Sequence, residues 1–363
     1  MKKPLLLLFS ALAACSGKLP EQEVQKIFAG HSYYDYPPER VSAALKEGEA
    51  GLAALDKRAA VLKERRPLKA RPSEKNISSG LLLGERAGGL ALLKVFAGSP
   101  AEAAGLRDGD AVLAVDGAAP TPDALKSEIG RSTRFALRAQ RAGGEPFEAA
   151  VTRTSFFFPQ VFAFYDEPSR TAFLRLGLFY EGSSGEALAA AAAAAQRGAE
   201  RLVIDLRDNP GGVPGEAAAV LKAFAAAPGP VLEVRSRHPG YSYLFAAEKR
   251  GPYAGLKLAA LVNGGTAMAA EAFARALKET AGAVLVGEKT AGSVSVTRSF
   301  ALGDGRGLRL TVARLFPPSG TDLEGAGAAP DYAVAGPPLP WDNSREDALL
   351  GDAAWPKARE VLR

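Results

Sequence analysis

The hydrophobic positions change their rhythm several times along the chain, and each change marks a different kind of element. An apolar run from Leu5 to Leu12 follows two lysines and gives way to small residues. From Val41 to Arg65, Ala and Leu recur every three or four residues among Lys, Arg and Glu, the period of an amphipathic helix. Tyr33–Pro38 reads as a turn, because Pro-Pro cannot continue a helix. From Ile77 to about Arg153 the pattern shortens to strands separated by glycine turns. An aromatic patch, Phe156–Phe164, reads as a linker strand. Beyond it fully apolar strands (Ala172–Leu178, Arg201–Leu206, Leu256–Val262, Ala283–Gly287) alternate with helical stretches (Ser183–Arg197, Glu216–Ala226 and the segment after Gly265). Ser183 and Glu186 have the spacing of a capping box. This alternation predicts βαβ units and a largely parallel sheet.

Composition narrows the class. The chain has 363 residues, 47% of them hydrophobic and 23% charged, as in a globular multidomain protein. A net charge of +5 with dispersed basic residues, the densest run being Lys63–Arg71, argues against a nucleic-acid partner. The N-terminus has the form of a secretory signal, too short to span a membrane as a mature helix. The sole cysteine, Cys15, closes Leu12-Ala13-Ala14-Cys15. That tetrapeptide resembles a bacterial lipobox, which implies lipidation at Cys15 and a membrane anchor; an ordinary cleavage site that includes a cysteine is the alternative. Ser16 after the cysteine favours the outer membrane if the source is diderm. With two distant histidines and one cysteine, no metal site is expected, and no cofactor. His31 and His238 read as packing or loop residues.

The candidate chemistry concentrates in two segments. Leu256–Val262 ends in a Gly-Gly turn that opens the helix Thr266-Ala267-Met268-Ala269-Ala270-Glu271, and the next strand ends in Thr290–Gly292. A strand that breaks at glycines and opens a helix exposes a side chain beside free backbone N–H groups. Here the exposed position holds Met268, which has no hydroxyl with which to attack a carbonyl. The second segment is Val203–Gly212, VIDLRDNPGG.

Together these segments resemble the C-terminal processing (tail-specific) serine peptidases and their tricorn-like relatives. Asp322-Leu323-Glu324-Gly325, Gly327 and Pro330-Asp331 match that family's later E-G-x-G-x-x-P-D segment. SGLLLGERAGGLALLKVFAGSPAEAAGLRDGDAVLAVDG, beginning at Ser79, resembles a PDZ domain, with Gly80, Leu81, Leu82 and Leu83 at the loop that holds a peptide C-terminus and Ala124–Ile129 as the second helix. Leu82 departs from the pattern, since many related domains have glycine there. The resemblance implies an α/β multidomain protein: signal peptide with lipobox (1–15), helical lead-in (16–75), PDZ domain (76–153), βαβ-type, crotonase-like peptidase core (154–340) and C-terminal tail (341–363).

Carried over residue by residue, the resemblance implies altered chemistry. The family's nucleophile, base and supporting glutamine fall on Met268, Ser293 and Thr297, all substituted. Tricorn-like members use a histidine from a segment comparable to Leu55–Arg58, where Arg58 stands and stays protonated. The oxyanion-hole places fall on Gly211, Gly212 and Ala269. Serine-type cleavage needs hydroxyl, base and oxyanion donors together, so little or no cleavage is expected. The chain then reads as a cell-envelope lipoprotein that binds peptide or protein C-termini. The alternatives are a peptidase with a displaced hydroxyl (Thr266, Ser293 and Ser295 lie near, with the amine Lys289) and a structural scaffold. Oligomeric state and client are not readable.

Overall fold

The computed structural model describes residues 18–62, 77–86, 89–120, 133–156, 159–335 and 352–363. Cys15 with its signal segment, Lys63–Arg71 and the expected helix Ala124–Ile129 lie outside the described residues. The chain divides into two compact units.

The first unit joins the N-terminal region to 235–242 and 295–314. It holds α1 (Glu21–His31), α2 (Pro38–Lys46), α3 (Glu49–Leu55) and the strand β1 (Ala60–Leu62). Both β1 and β16 (Ser295–Ala301) pair antiparallel with β17 (Gly307–Phe316). The apolar stripes of the helices, Val24, Phe28, Val41 and Leu52, close over Leu302, Leu308 and Leu310. The helical period over Val41–Arg65 is broken in the structure. Gly48 enters the left-handed region at φ 67°, α3 restarts at Glu49, and the chain is extended from Ala60. The break lets α2 and α3 cross closely: a Cβ on Gly51 would lie 2.1 Å from the Ala44 carbonyl oxygen. Asp56 then ties this layer to β17 by accepting from the Thr311 N–H (2.6 Å) and hydroxyl (2.9 Å).

The second unit contains an α/β layer and a smaller antiparallel sheet. The small sheet runs β3 (Leu81–Arg86), β4 (Gly89–Val95), β5 (Ala111–Val115), β6 (Arg134–Gln140) and β7 (Pro146–Thr152), each hydrogen-bonded to the next. A two-residue ladder, β2 (Ile77–Ser78) with β8 (Thr154–Ser155), closes its base. The short helix α4 (Pro100–Ala103) carries a reciprocal cap: Ser99 Oγ accepts from Glu102 N and Glu102 accepts from Gly98 N. Leu81 and Leu83 point into the sheet's own core with Leu92, Phe135 and Val151. Leu82, one residue out of phase, points to the opposite face. With Leu93 and Phe96 it joins the core built from Phe162, Phe173, Val203, Leu261 and Trp355.

That larger core belongs to a six-stranded sheet ordered β18 (Tyr332–Ala333), β15 (Val284–Gly287), β14 (Lys257–Val262), β11 (Arg201–Asp205), β10 (Thr171–Leu176) and β9 (Val161–Asp166). All pairs are parallel except β9–β10. The expected βαβ alternation is observed. Helices α5 (Ser183–Gln196), α6 (Pro214–Phe224) and α7 (Met268–Ala281) make the crossovers, and β12 (Gly229–Arg235) and β13 (Tyr243–Ala247) form a hairpin between α6 and β14. The start of α5 is capped from outside its own sequence: Glu216 of α6 accepts from Gly182 N and Ser184 N. The final helix, α8 (Ala354–Val361), sets Trp355 edge-on to Phe164 and Phe173. In such a sheet the loops at the carboxyl ends of the strands gather at one edge, where open α/β sheets bind ligands. Here those loops are Leu206–Val213, Asn263–Ala267 and Glu288–Val294.

Candidate active site

The three loops are locked to one another by main-chain and side-chain hydrogen bonds. The loop after β11 is held by Asn209, whose side chain donates to Leu176 O (2.7 Å) and accepts from Gly211 N (2.8 Å). Its carbonyl accepts from Ala267 N at 2.9 Å, joining it to the head of α7. Gly211 O and the Val213 N–H pair with Phe179, so the Gly-Gly segment extends as a short parallel bridge. Both glycines are obligatory. A Cβ on Gly212 would lie 2.0 Å from Phe179 O, and one on Gly211 would lie 2.7 Å from Met268 Cβ and 2.8 Å from Ala269 N. Asn263 at the end of β14 and Asp208 exchange hydrogen bonds: Asn263 Nδ2 donates to Asp208 Oδ1, and Asp208 N donates to Asn263 Oδ1.

At the head of α7 the backbone bends sharply. Ala267 is extended (φ −140°, ψ 167°), and Met268 then takes φ 49°, a left-handed value seldom adopted by a side chain of this size. Such a turn holds the side chain out of the helix and costs on the order of 1–3 kcal/mol. Met268 is half-buried, and its N–H donates to Ser293 O at 2.6 Å. The Gly212 and Ala269 N–H groups donate to no partner among the described residues, and they flank Met268 from two different elements. The Gly211 N–H, by contrast, is committed to Asn209.

The loop after β15 is organised by Glu271, fully buried one turn into α7. Its carboxylate accepts from the Thr290 hydroxyl, from Gly292 N (2.8 Å) and from Ser293 N (2.8 Å). Burial pushes this carboxyl above its usual range, and the three donors pull it back without cancelling the effect. The segment Glu324–Ala328 backs the same loop: Glu324 accepts from Val294 N, Gly325 N donates to Gly292 O, and Ala328 N donates to the Thr290 hydroxyl. The E-G-x-G segment is therefore a brace for the loop that carries Ser293.

The structure brings Met268, Ser293, Gly211, Gly212 and Ala269 together. Thr297 stands on β16 of the first unit, opposite Thr311. Among the possible substitute groups, Thr266 is fully buried, donates its hydroxyl proton to Leu206 O (2.9 Å) and accepts from Asn263 N (3.1 Å). Lys289 is exposed, and its Cε lies 3.1 Å from where a Cβ on Gly327 would stand, along the bracing segment. His238 and His31 both lie in the first unit, where Tyr241 Oη and His31 Nδ1 share a hydrogen bond. Gly80 takes φ 68° and abuts Ser99, and Leu81, Leu82 and Leu83 are fully buried.

Sequence reasoning missed the charged foundation beneath the first loop. Arg207 forks onto Asp205 (2.9 and 2.7 Å) and onto Asp352 (2.9 and 2.9 Å), while Arg175 donates to the Arg207 carbonyl. Burial would raise the Asp205 carboxyl, but Arg207 and Arg175 outweigh it and hold the group below its usual range. Burial brings Arg175 down to about 10. The signal was present in the Asp-x-Arg spacing of VIDLRDNPGG, whereas its partner Asp352 stands 145 residues further on.

A parallel α/β layer with a strained strand-to-helix turn beside a Gly-Gly loop is a serine-hydrolase type of scaffold. Residues 170–334 match the profile of peptidase family S41. The resemblance to the C-terminal processing peptidases is thereby shown. The chain is 32% identical to the carboxyl-terminal-processing protease of Synechocystis sp. over 257 residues, covering 68% of this chain and 60% of that protein. It is 29% identical to the chloroplastic C-terminal processing peptidase of Tetradesmus obliquus, over 72% of this chain and 60% of that one. The chain thus matches three fifths of the length of these relatives. The photosystem II D1 C-terminal processing protease shares the fold, with a TM-score of 0.56, 23% identity, and coverage of 92% of this chain and 97% of that one.

Proposed function

We propose that this chain is a peptide-binding member of family S41 that holds protein C-termini without cleaving them. The observation that carries the reading is Met268 on the strained turn: the backbone geometry of a nucleophile position is kept while its hydroxyl is absent. Ser293 at the base position supplies no amine or imidazole, and the buried Thr266 hydroxyl is tied into the turn. Loss of triad members lowers a serine peptidase's rate by about a million-fold, leaving only about 10³–10⁴ over water from the remaining machinery. The unpaired Gly212 and Ala269 N–H groups suit a peptide carbonyl or carboxylate oxygen. On this reading the small sheet is a PDZ domain. Cys15 carries the lipid that fixes the protein to the envelope side of a bacterial membrane, the outer one in a diderm.

The test compares wild type with a Met268→Ser, Ser293→Lys, Thr297→Gln variant. Wild type is expected to bind a peptide with a free C-terminus, to resist a fluorophosphonate probe and to leave the peptide intact. Labelling of wild type, abolished by changing one nearby hydroxyl, establishes the active-peptidase alternative instead. Absence of peptide affinity points to a scaffold.

A further inference from the structure

Away from the loops just described, at the amino-terminal ends of β10 and β11, the second unit has a pocket of about 390 Å³ lined by Arg170, Arg201, Arg359, Arg363, Glu200 and Ser169 among others. Three parts of the chain converge there: the turn before β10, the start of β11 and the carboxyl end of α8. Four arginines and one glutamate are among the lining residues, and Asp166 pairs with Arg359 from outside the lining. Like charges converging in a concave site repel one another, and low-dielectric walls focus the field.

The hydrogen bonds leave donors over. Glu200 pairs with Arg170 and, at 3.5 Å, with Arg201. Arg201 also donates to Leu362 O and Ser169 O, which fixes its plane and ties α8 to the sheet. Arg359 gives Nη1 to Asp166, while its Nε is buried and has no partner. The Arg363 guanidinium has no side-chain partner among the described residues. A guanidinium carries five N–H donors, so the cluster holds more donors than its neighbours accept.

From this geometry we infer that the pocket binds a compact dianionic oxyanion of the phosphate monoester class, independently of the peptide site. Planar guanidinium forks match two oxygens of a tetrahedral anion at once, where a single ammonium would not. Glu200 and Asp166 offset part of the charge of the four arginines, and the bound anion supplies the rest.

The experiment measures thermal unfolding of the full chain against inorganic phosphate, with sodium chloride at matched ionic strength as reference. It is repeated for the Arg170→Gln, Arg363→Gln double variant. Arg201 and Arg359 are left intact because they tie the fold together. Phosphate is expected to raise the midpoint saturably in wild type, and the double variant to need at least tenfold more phosphate for the same shift. A second arm measures sedimentation with vesicles containing phosphatidic acid or, as the phosphodiester control, phosphatidylglycerol. Binding that prefers phosphatidic acid and is lost in the double variant, without a response to free phosphate, assigns the site to a lipid headgroup of the same chemistry. Equal behaviour of wild type and variant in both arms overturns the inference, as does equal binding of both lipids with no phosphate effect.

Discussion

Single residues in the cleft are held by contact distances that leave no room. Gly212 sits at φ 116° with its Cα facing the Phe179 carbonyl, so Gly212→Ala forces backbone apart as well as imposing an unfavourable φ. The expected cost is about 3 kcal/mol, seen as a fall in the thermal midpoint of several degrees. Met268 is the converse case. Its φ of 49° is strained for any side chain with a Cβ. Met268→Gly removes that strain while giving up the methionine's packing; the expected net change in stability is under about 1 kcal/mol. A urea titration that shows a loss above about 3 kcal/mol contradicts a merely half-buried side chain at this position.

Much of the site was legible in the sequence at this scale. The Gly-Gly turns, the Met268 position and Ser293 all fall where motif and spacing put them, because such turns depend on local steric demands that glycine announces. The part that was not legible depends on distant partners. Nothing local in Asp352 shows that it completes the fork of Arg207, and nothing local in Thr297 shows that it sits in a ladder of the first unit. The capping box read at Ser183 failed for the same reason: Glu216, on another helix, takes over the capping.

Among elements, the charged foundation under β10 and β11 gives a pH dependence with a definite sign. Asp205 is fully buried and its carboxyl lies below the usual range. A depressed carboxylate stabilises the fold above its unfolded pKa of about 3.9, and that contribution is lost as pH falls through the folded value. The stabilisation from Asp205 is therefore expected to be fully present and independent of pH near neutrality, and to be lost as the pH falls below about 4. Replacing Asp352 by asparagine leaves Arg207 with one carboxylate in a buried site, at a cost on the order of 3 kcal/mol. Denaturation midpoints of the Asp352→Asn chain between pH 3 and pH 7, taken from roughly the range over which a carboxylate titrates, check both statements. The helical period over Val41–Arg65 also shows where element-level reading stops. The amphipathic stripe was correctly visible, but the break at Gly48 and the close crossing at Gly51 came from tertiary approach that periodicity does not encode.

For the molecule as a whole, the order of strands and helices followed from the alternating pattern, whereas the seam between the small sheet and the α/β layer did not. Leu82 lies one residue out of phase with Leu81 and Leu83, and it is fully buried in a cluster with Phe162, Phe173 and Trp355. Leu82→Gly is expected to cost about 2–4 kcal/mol through the cavity it leaves, with faster hydrogen exchange along β3 as the readout. The shared oil of Leu82, Leu93 and Phe96 has a calorimetric corollary. The second unit should melt in a single endotherm, and a fragment cut after Arg153 should come away with a greasy scar where the layer had been, prone to clump.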